Sequence, residues 1–285
     1  MPARILTGAP VAESLCAQLN KRLLSLRERG IVPCLAVVRI GSQIGSLSYE
    51  RSIEKRCDSL GLKLTKRVFD DAVSQDELIS FIESLGKDPS VHGIVLFRPL
   101  PEAMDTRSIL NSIPFEKDVD GVSSFSMAAV YSGDGSGFPP CTAEAVLEML
   151  RYYEIPVSGK KAVVVGRSLV TGRPAAMLLL REHATVTICH TRTADLAEAV
   201  STADLVVTAT GHINTLTEKH LHEGQIVIDI GINYDETRKR LCGDVDHEAA
   251  ESVVSCISAV PGGIGSVTTA ILCKHVIEAA ERTAG

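Results

Sequence analysis

A short β-branched run, Lys161 to Val165, stops at Gly166, and the loop Arg167-Ser168-Leu169-Val170-Thr171-Gly172-Arg173-Pro174 opens a helical stretch to Arg181. A buried strand ending in glycine, then a short loop and a helix, has the logic of a dinucleotide site. Backbone N–H groups at the helix N-terminus, with the positive end of its dipole, face a pyrophosphate, and glycine lets that backbone come close. The spacing is Gly-x-Ser-x-x-x-Gly-x-Pro, not Gly-x-Gly-x-x-Gly. Taken alone, it would serve as well for a tight strand-to-helix turn in any α/β protein.

The next strand, Thr185 to Cys189, narrows the choice. Sites for NAD end this strand in an Asp or Glu that binds the ribose 2′-hydroxyl. Here the strand ends in His190-Thr191-Arg192-Thr193, with no carboxylate. A cationic, hydroxyl-rich end suits a 2′-phosphate, and Arg167 can join it, which points to NADP over NAD. The plainer alternative makes Arg192 a solvated loop charge.

The rest of the chain repeats the strand–helix rhythm. Leu15, Leu19, Leu23 and Leu26 share one helical stripe ahead of Gly30; Cys34 to Ile40 reads as a buried parallel strand. A helix over Ser48–Leu60, a strand to Phe69, a helix from Gln75 and a strand over Gly93–Phe97 follow. Between about Ser123 and Pro140 the texture changes, and Ser132 to Pro140, dense in Gly, Ser and Pro, reads as a long loop near a domain boundary. A helix to Tyr153 leads into the second unit, with further strands at Leu205–Thr210 and Gln225–Ile230 and a last helix over Thr268–Ala280. The fold class expected is α/β with parallel sheets.

Composition removes several classes of function. With a net charge of −6, no Trp and 4% aromatic residues, neither a nucleic-acid surface nor a base-stacking platform is expected. No apolar run approaches a membrane span, and the N-terminus lacks the apolar core of a secretory signal, so a cytoplasmic setting is expected. The eight cysteines are scattered, with no pair at metal-ligand or redox-motif spacing, and no metal site is expected.

Several segments fall in the order of one family. They include Gly41-Ser42 with Ser46 and Tyr49, Gly93-Ile94 with Pro99-Leu100-Pro101, Lys117-Asp118-Val119-Asp120-Gly121 and Pro140-Cys141-Thr142. Gly166-Arg167-Ser168 with Gly172-Arg173-Pro174, Cys189 to Thr193, Ala209-Thr210-Gly211, Ile228 to Asn233, Gly243-Asp244-Val245 and Val260 to Gly265 complete the series. The chain resembles methylenetetrahydrofolate dehydrogenase/cyclohydrolase over nearly its whole length. The resemblance implies an N-terminal α/β folate domain over 1–141, rejoined by the last helix at 267–285, and a Rossmann domain over 142–266. It also implies an active site in the cleft and a homodimer formed through the Rossmann domains.

The activities implied are NADP-dependent oxidation of 5,10-methylenetetrahydrofolate and hydrolysis of the methenyl product to 10-formyltetrahydrofolate. Tyr49 would pack on the folate ring system and Asp120 would accept the pterin's N–H donors, while Leu100, Pro261, Gly262 and Gly263 would line the pocket. The cofactor would be held by Gly166, Arg167, Ser168, Gly172, Arg173, Pro174, His190, Thr191, Arg192, Thr210, Gly211 and Ile232. Read without the resemblance, Tyr49 is a half-buried helix-face aromatic and Asp120 an Asp-Gly turn.

Two departures bear on chemistry. The family carries a lysine one helical turn after the tyrosine, and here that position is Ile53. Lys55 and Arg56 lie about 200° and 300° further round the helix, so neither replaces it. The family's glutamine in Gly-x-x-x-Gln-x-Pro-x-Pro is Phe97. Smaller departures are Gln43-Ile44 for Asn-Pro, Ala143 for Pro, and Ser266-Val267 for Pro-Met. The expectation is a dehydrogenase whose hydrolytic step is weak or lost. A dinucleotide-binding pseudoenzyme and a member with altered substrate stay open as alternatives.

Overall fold

The computed structural model describes residues 2–42 and 44–284, with the side chains of 44–46 and 284 outside that description. In chain order its elements are β1 (Arg4–Leu6), α1 (Gly8–Glu28), β2 (Cys34–Ile40), α2 (Ile44–Leu60), β3 (Lys63–Phe69), α3 (Gln75–Lys87) and β4 (Gly93–Leu96). Then come α4 (Thr106–Asn111), α5 (Ser124–Ser132), α6 (Cys141–Tyr152), β5 (Lys161–Val165), α7 (Gly172–Arg181), β6 (Thr185–Cys189) and α8 (Leu196–Ser201). The series closes with β7 (Leu205–Thr208), β8 (Ile226–Asp229), β9 (Asn233–Asp235), β10 (Arg240–Cys242), α9 (His247–Ala250), β11 (Cys256–Ser258) and α10 (Ile264–Ala284). They form two compact units, one of residues 14–141 and 269–285, the other of residues 1–13 and 142–268.

The first unit is built on a parallel sheet in the order β3-β2-β4, with Leu35 of β2 opposite Leu64 and Gly93. The central strand β2 is buried over Cys34 to Val38, as a parallel strand covered on both faces requires. Val38, Ile94 and Leu96 pack with Leu78 and Ile82 of α3 and with Ile109 of α4. The changed texture after Ser123 conceals a helix. Ser123 caps α5 by accepting from the Ser126 N–H, Gly133 ends it in the left-handed conformation, and the loop proper begins there.

The second unit carries six parallel strands in the order β1-β11-β8-β7-β5-β6. One expectation needs correcting. β1 pairs with β11, Arg4 opposite Cys256 and Leu6 opposite Ser258, so residues 1–13 join this unit and not the one that follows them in sequence. β5 sits between β6 and β7, so the chain leaves β5 to one side and returns to the other. That switch of direction opens a crevice at the carboxyl ends of the strands, where ligands of open α/β sheets bind.

Two buried aspartates shape the loops beyond those strand ends. Asp229, last in β8, accepts from Thr208 Oγ1 at 2.9 Å and from the backbone N–H groups of Gly231, Asp244 and Val245 at 2.9, 3.1 and 2.9 Å. A side chain at Gly243 would run into the Asp229 carboxylate, so only glycine allows this approach. Burial pushes the Asp229 carboxyl above its ordinary value, opposed by the N–H donors. Asp244 in turn accepts from the N–H groups of Thr210 and Gly211 at 2.6 and 3.2 Å and from Asn233 Nδ2 at 3.0 Å.

Candidate active site

In the first unit, α2 is fixed to the sheet by Glu50, which is buried and takes Arg39 Nε at 2.6 Å and Lys66 Nζ at 3.4 Å. The side of α2 that faces the interior then presents Tyr49, Ile53 and Cys57, one turn apart from each other. Ile53 is 1% exposed, and Cys57 is buried with its Sγ 4.0 Å from Cys273 Sγ of α10. Lys55 is exposed, as are Arg51 and Ser52. Of the smaller sequence departures, Gln43 lies outside the described residues, as do the side chains of Ile44 and Ser46.

Phe97 extends β4, its N–H donating to the Val38 carbonyl at 2.9 Å. Its ring is 7% exposed and lies 5.6 Å from that of Tyr49, tilted by 38°. The next residue, Arg98, precedes a cis peptide to Pro99 and brings Nη2 to 3.5 Å from Asp120 Oδ2. Leu100, expected along the pocket, is nearly buried and packs with the hydrophobic cluster of Val38, Ile94 and Leu96.

The two acids of Lys117-Asp118-Val119-Asp120-Gly121 have separate tasks. Asp118 is buried and its carboxylate is occupied by the N–H groups of Val122 and Ser123, at 3.0 and 2.8 Å, and by Ser126 Oγ at 2.6 Å. It braces the turn and the start of α5. Asp120 faces Arg98 and the Cys141 thiol. Burial pushes its carboxyl up to about 6, the Arg98 guanidinium opposes this, and Asp118 adds to it. The Tyr49 phenol stands well above its ordinary value, first through burial and then through the charge of Asp120. Beneath them the carbonyl of Val119 receives Cys141 Sγ at 3.2 Å and meets His275 Nδ1 of α10 at 2.8 Å, which makes Nδ1 the protonated nitrogen. His275 was invisible to sequence reasoning; Cys141 stood in a matched segment without a role.

This group therefore offers a flat aromatic face, a carboxylate acceptor and a guanidinium. At Ile53 and Phe97 it offers neither a lone pair nor an exchangeable proton.

In the second unit, the residues expected at a nucleotide all follow carboxyl ends of strands in one sheet. Gly166 follows β5, His190 to Arg192 follow β6, Thr210 and Gly211 follow β7, and Ile232 follows β8. Gly166 has φ +124°, and a Cβ there would collide with the Ala209 carbonyl. It brings the β5 and β7 ends together as only glycine can. Ser168 Oγ accepts from the N–H groups of Thr171 and Gly172 at 3.1 and 3.3 Å, holding the loop at the start of α7. Pro174 is buried in the first turn of α7, where a missing N–H costs nothing.

After β6, the N–H of Arg192 donates to His190 Nδ1 at 3.1 Å and His190 N–H to Thr193 Oγ1 at 2.8 Å, so the turn is held from within. The side chains of Arg167, Arg173, Thr191 and Arg192 are exposed, and Ile232 is 63% exposed beside them in the expected set. A glycine-lined close approach with exposed cations and hydroxyls at the strand ends fits a phosphorylated dinucleotide. Pro261 and Gly262, also exposed, follow β11 in this unit and not in the unit of Tyr49 and Asp120; Gly263 is buried.

The model of the tetrahydrofolate dehydrogenase/cyclohydrolase catalytic domain matches residues 6–120, and the model of that family's NAD(P)-binding domain matches residues 140–284. The chain belongs to the tetrahydrofolate dehydrogenase/cyclohydrolase family. Its relatives include the bifunctional protein FolD of Carboxydothermus hydrogenoformans, 46% identical over 280 residues that cover 98% of each chain. The crystal structure of the bifunctional enzyme FolD, methylenetetrahydrofolate dehydrogenase/cyclohydrolase, from Campylobacter jejuni matches with TM-score 0.95 and 38% identity, covering 98% of this chain and 99% of that one. The Trypanosoma brucei enzyme, solved with NADP cofactor and an inhibitor, matches with TM-score 0.92 and 31% identity over 99% and 98% of the two chains. The family's two-domain α/β class and its NAD(P)-binding domain are thus those of this chain.

Proposed function

We propose that this family member is an NADP-dependent methylenetetrahydrofolate dehydrogenase in which the cyclohydrolase step is lost or strongly reduced. The observation that carries the second half is the pair Ile53 and Phe97, both apolar and both buried at the positions of the family's lysine and glutamine. When bound, NADP supplies the hydride acceptor. Hydride transfer asks the protein mainly to hold two carbons in contact and aligned. Tyr49 gives the folate ring a flat surface, and the Asp120 carboxylate accepts the pterin's amino and ring N–H donors. Arg167, Thr191 and Arg192 answer the 2′-phosphate.

Hydrolysis of the methenyl group makes a different demand, since water must be activated and protons moved. Neither Ile53 nor Phe97 can do that. Replacing both polar partners by apolar groups strands no buried donor or acceptor, so the arrangement is stable. Arg51 points away from this face of α2, and Arg98 is engaged with Asp120.

The assembly we propose is a homodimer through the Rossmann unit. Its edge strand β6 is exposed at Thr185, Thr187 and Ile188, beside an exposed Leu180. A cytoplasmic setting agrees with free cysteines and with the finding that, among the described residues, no helix is long and apolar enough to cross a membrane. NADPH formation from NADP and methylenetetrahydrofolate tests the dehydrogenase. No turnover above a blank would leave the pseudoenzyme or the altered-substrate reading.

A further inference from the structure

Arg98 has no role in the reading above, although it is the cation that meets Asp120. Its Nη2 lies 3.5 Å from Asp120 Oδ2, and both side chains are largely covered, 27% and 19% exposed. The contrast with Asp118 defines what this pairing does. Asp118 accepts from two backbone N–H groups and a hydroxyl, so its orientation is fixed by the turn it braces. Asp120, two residues on, has the Arg98 guanidinium and the Cys141 thiol as its facing groups. At 3.5 Å from one carboxylate oxygen, the guanidinium attracts Asp120 as an ion pair and leaves its lone pairs available to a planar donor set.

We infer that Arg98 is a positioning residue of the substrate site, its guanidinium holding the Asp120 carboxylate towards the N–H donors of the ligand. The inference rests on the folate reading of the site. The groups that face Asp120 are Arg98 at the end of β4, Asp118 on its own turn, Cys141 at the start of α6, His275 on α10 and Tyr49 on α2. Burial and Asp118 drive the carboxyl towards its neutral form, and Arg98 is the largest force in the other direction. A neutral carboxyl presents one donor in place of an acceptor and no longer matches the pterin edge.

The test compares the wild type with Arg98→Leu and Arg98→Lys in dehydrogenase kinetics from acid to mildly alkaline pH. For Arg98→Leu, KM for methylenetetrahydrofolate is expected to rise roughly tenfold at neutral pH, with kcat changed by less than about threefold. The acid limb of kcat/KM is expected to move to higher pH, and Arg98→Lys is expected to restore most of both. A residue that only supported the fold would not move the limb. An Arg98→Leu profile superimposable on the wild type overturns the inference.

Titration of Asp120 by carbon-13 NMR of the Asp-labelled full chain gives a readout free of activity. A carboxyl that titrates higher in Arg98→Leu supports the pairing, and an unmoved one overturns it. An inactive wild type would indict the substrate assigned to the site, and the titration would still decide the role of Arg98.

Discussion

The ring of Phe97 lies 5.6 Å from that of Tyr49, tilted by 38°, and closes that flank of the tyrosine with carbon. One turn further along α2, Ile53 is as fully buried as any core residue. At the positions where the family carries a lysine and a glutamine, the neighbours of Tyr49 are therefore apolar. On the proposed reading, the aromatic face and the carboxylate remain, while the positions of the family's lysine and glutamine carry buried Ile53 and Phe97.

Restoring that pair should carry a cost before it brings a gain. Ile53→Lys alone places an ammonium in the core and is expected to destabilise the protein by roughly 2–4 kcal/mol. Ile53→Lys with Phe97→Gln gives the amine a hydrogen-bond partner, recovers part of that loss and raises methenyltetrahydrofolate hydrolysis above the wild type. Urea unfolding and a hydrolysis assay check the two halves. A stable double variant with wild-type hydrolysis would show that other groups decide the activity.

The acid side of the dehydrogenase profile should report Asp120. Its carboxyl sits at about 6 in the folded protein, above the ordinary aspartate value, because burial disfavours the charge. Above that pH the group is an ionised acceptor; below it the group is neutral and the pterin contact weakens. kcat/KM should then fall as pH drops through about 6, and Asp120→Asn should flatten this limb while raising KM. The linkage to stability has the opposite sense. The folded state binds this proton more tightly than the unfolded chain, so the cost of the buried charge is relieved as pH falls from 7 towards 5.

Much of this arrangement could be read from sequence, and the gaps have physical causes. The strands β2, β5 and β7 announce themselves as continuous apolar runs, because a parallel strand covered on both faces must be apolar throughout. β1 and β11 are three residues each and exist through pairing, β1 with β11 and β11 with β8, a non-local fact no local pattern contains. The stretch from Ser123 showed in sequence only as a change of texture, and its helix α5 was not foreseen. The Ser123 hydroxyl caps this helix and the Ser126 hydroxyl donates to Asp118. Tyr49, Asp120, Ile53 and Phe97 could be named from matched motifs, but the tilted contact of Phe97 with Tyr49 and the pairing of Arg98 with Asp120 arise only in the fold.

Asp229 is the test of the loop scaffold on the cofactor side. Asp229→Ala removes the acceptor of three backbone N–H groups and the Thr208 hydroxyl in a buried site, and should cost about 3–5 kcal/mol. Asp229→Asn keeps one acceptor oxygen and should cost less. Thermal unfolding checks the order, and equal melting temperatures for the two variants would contradict it.

Arg192 tests the choice of cofactor. If its guanidinium meets the 2′-phosphate, Arg192→Ala should raise KM for NADP by roughly ten- to a hundredfold and leave that for NAD almost unchanged. Equal losses for both cofactors would make it a general contributor to the loop.

The most direct measurement of the central claim sets the two activities side by side on one purified preparation. Methylenetetrahydrofolate with NADP should give steady NADPH formation. Methenyltetrahydrofolate, at a pH where spontaneous hydrolysis is slow, should disappear no faster than in buffer. Hydrolysis well above the buffer rate would contradict the role given to Ile53 and Phe97.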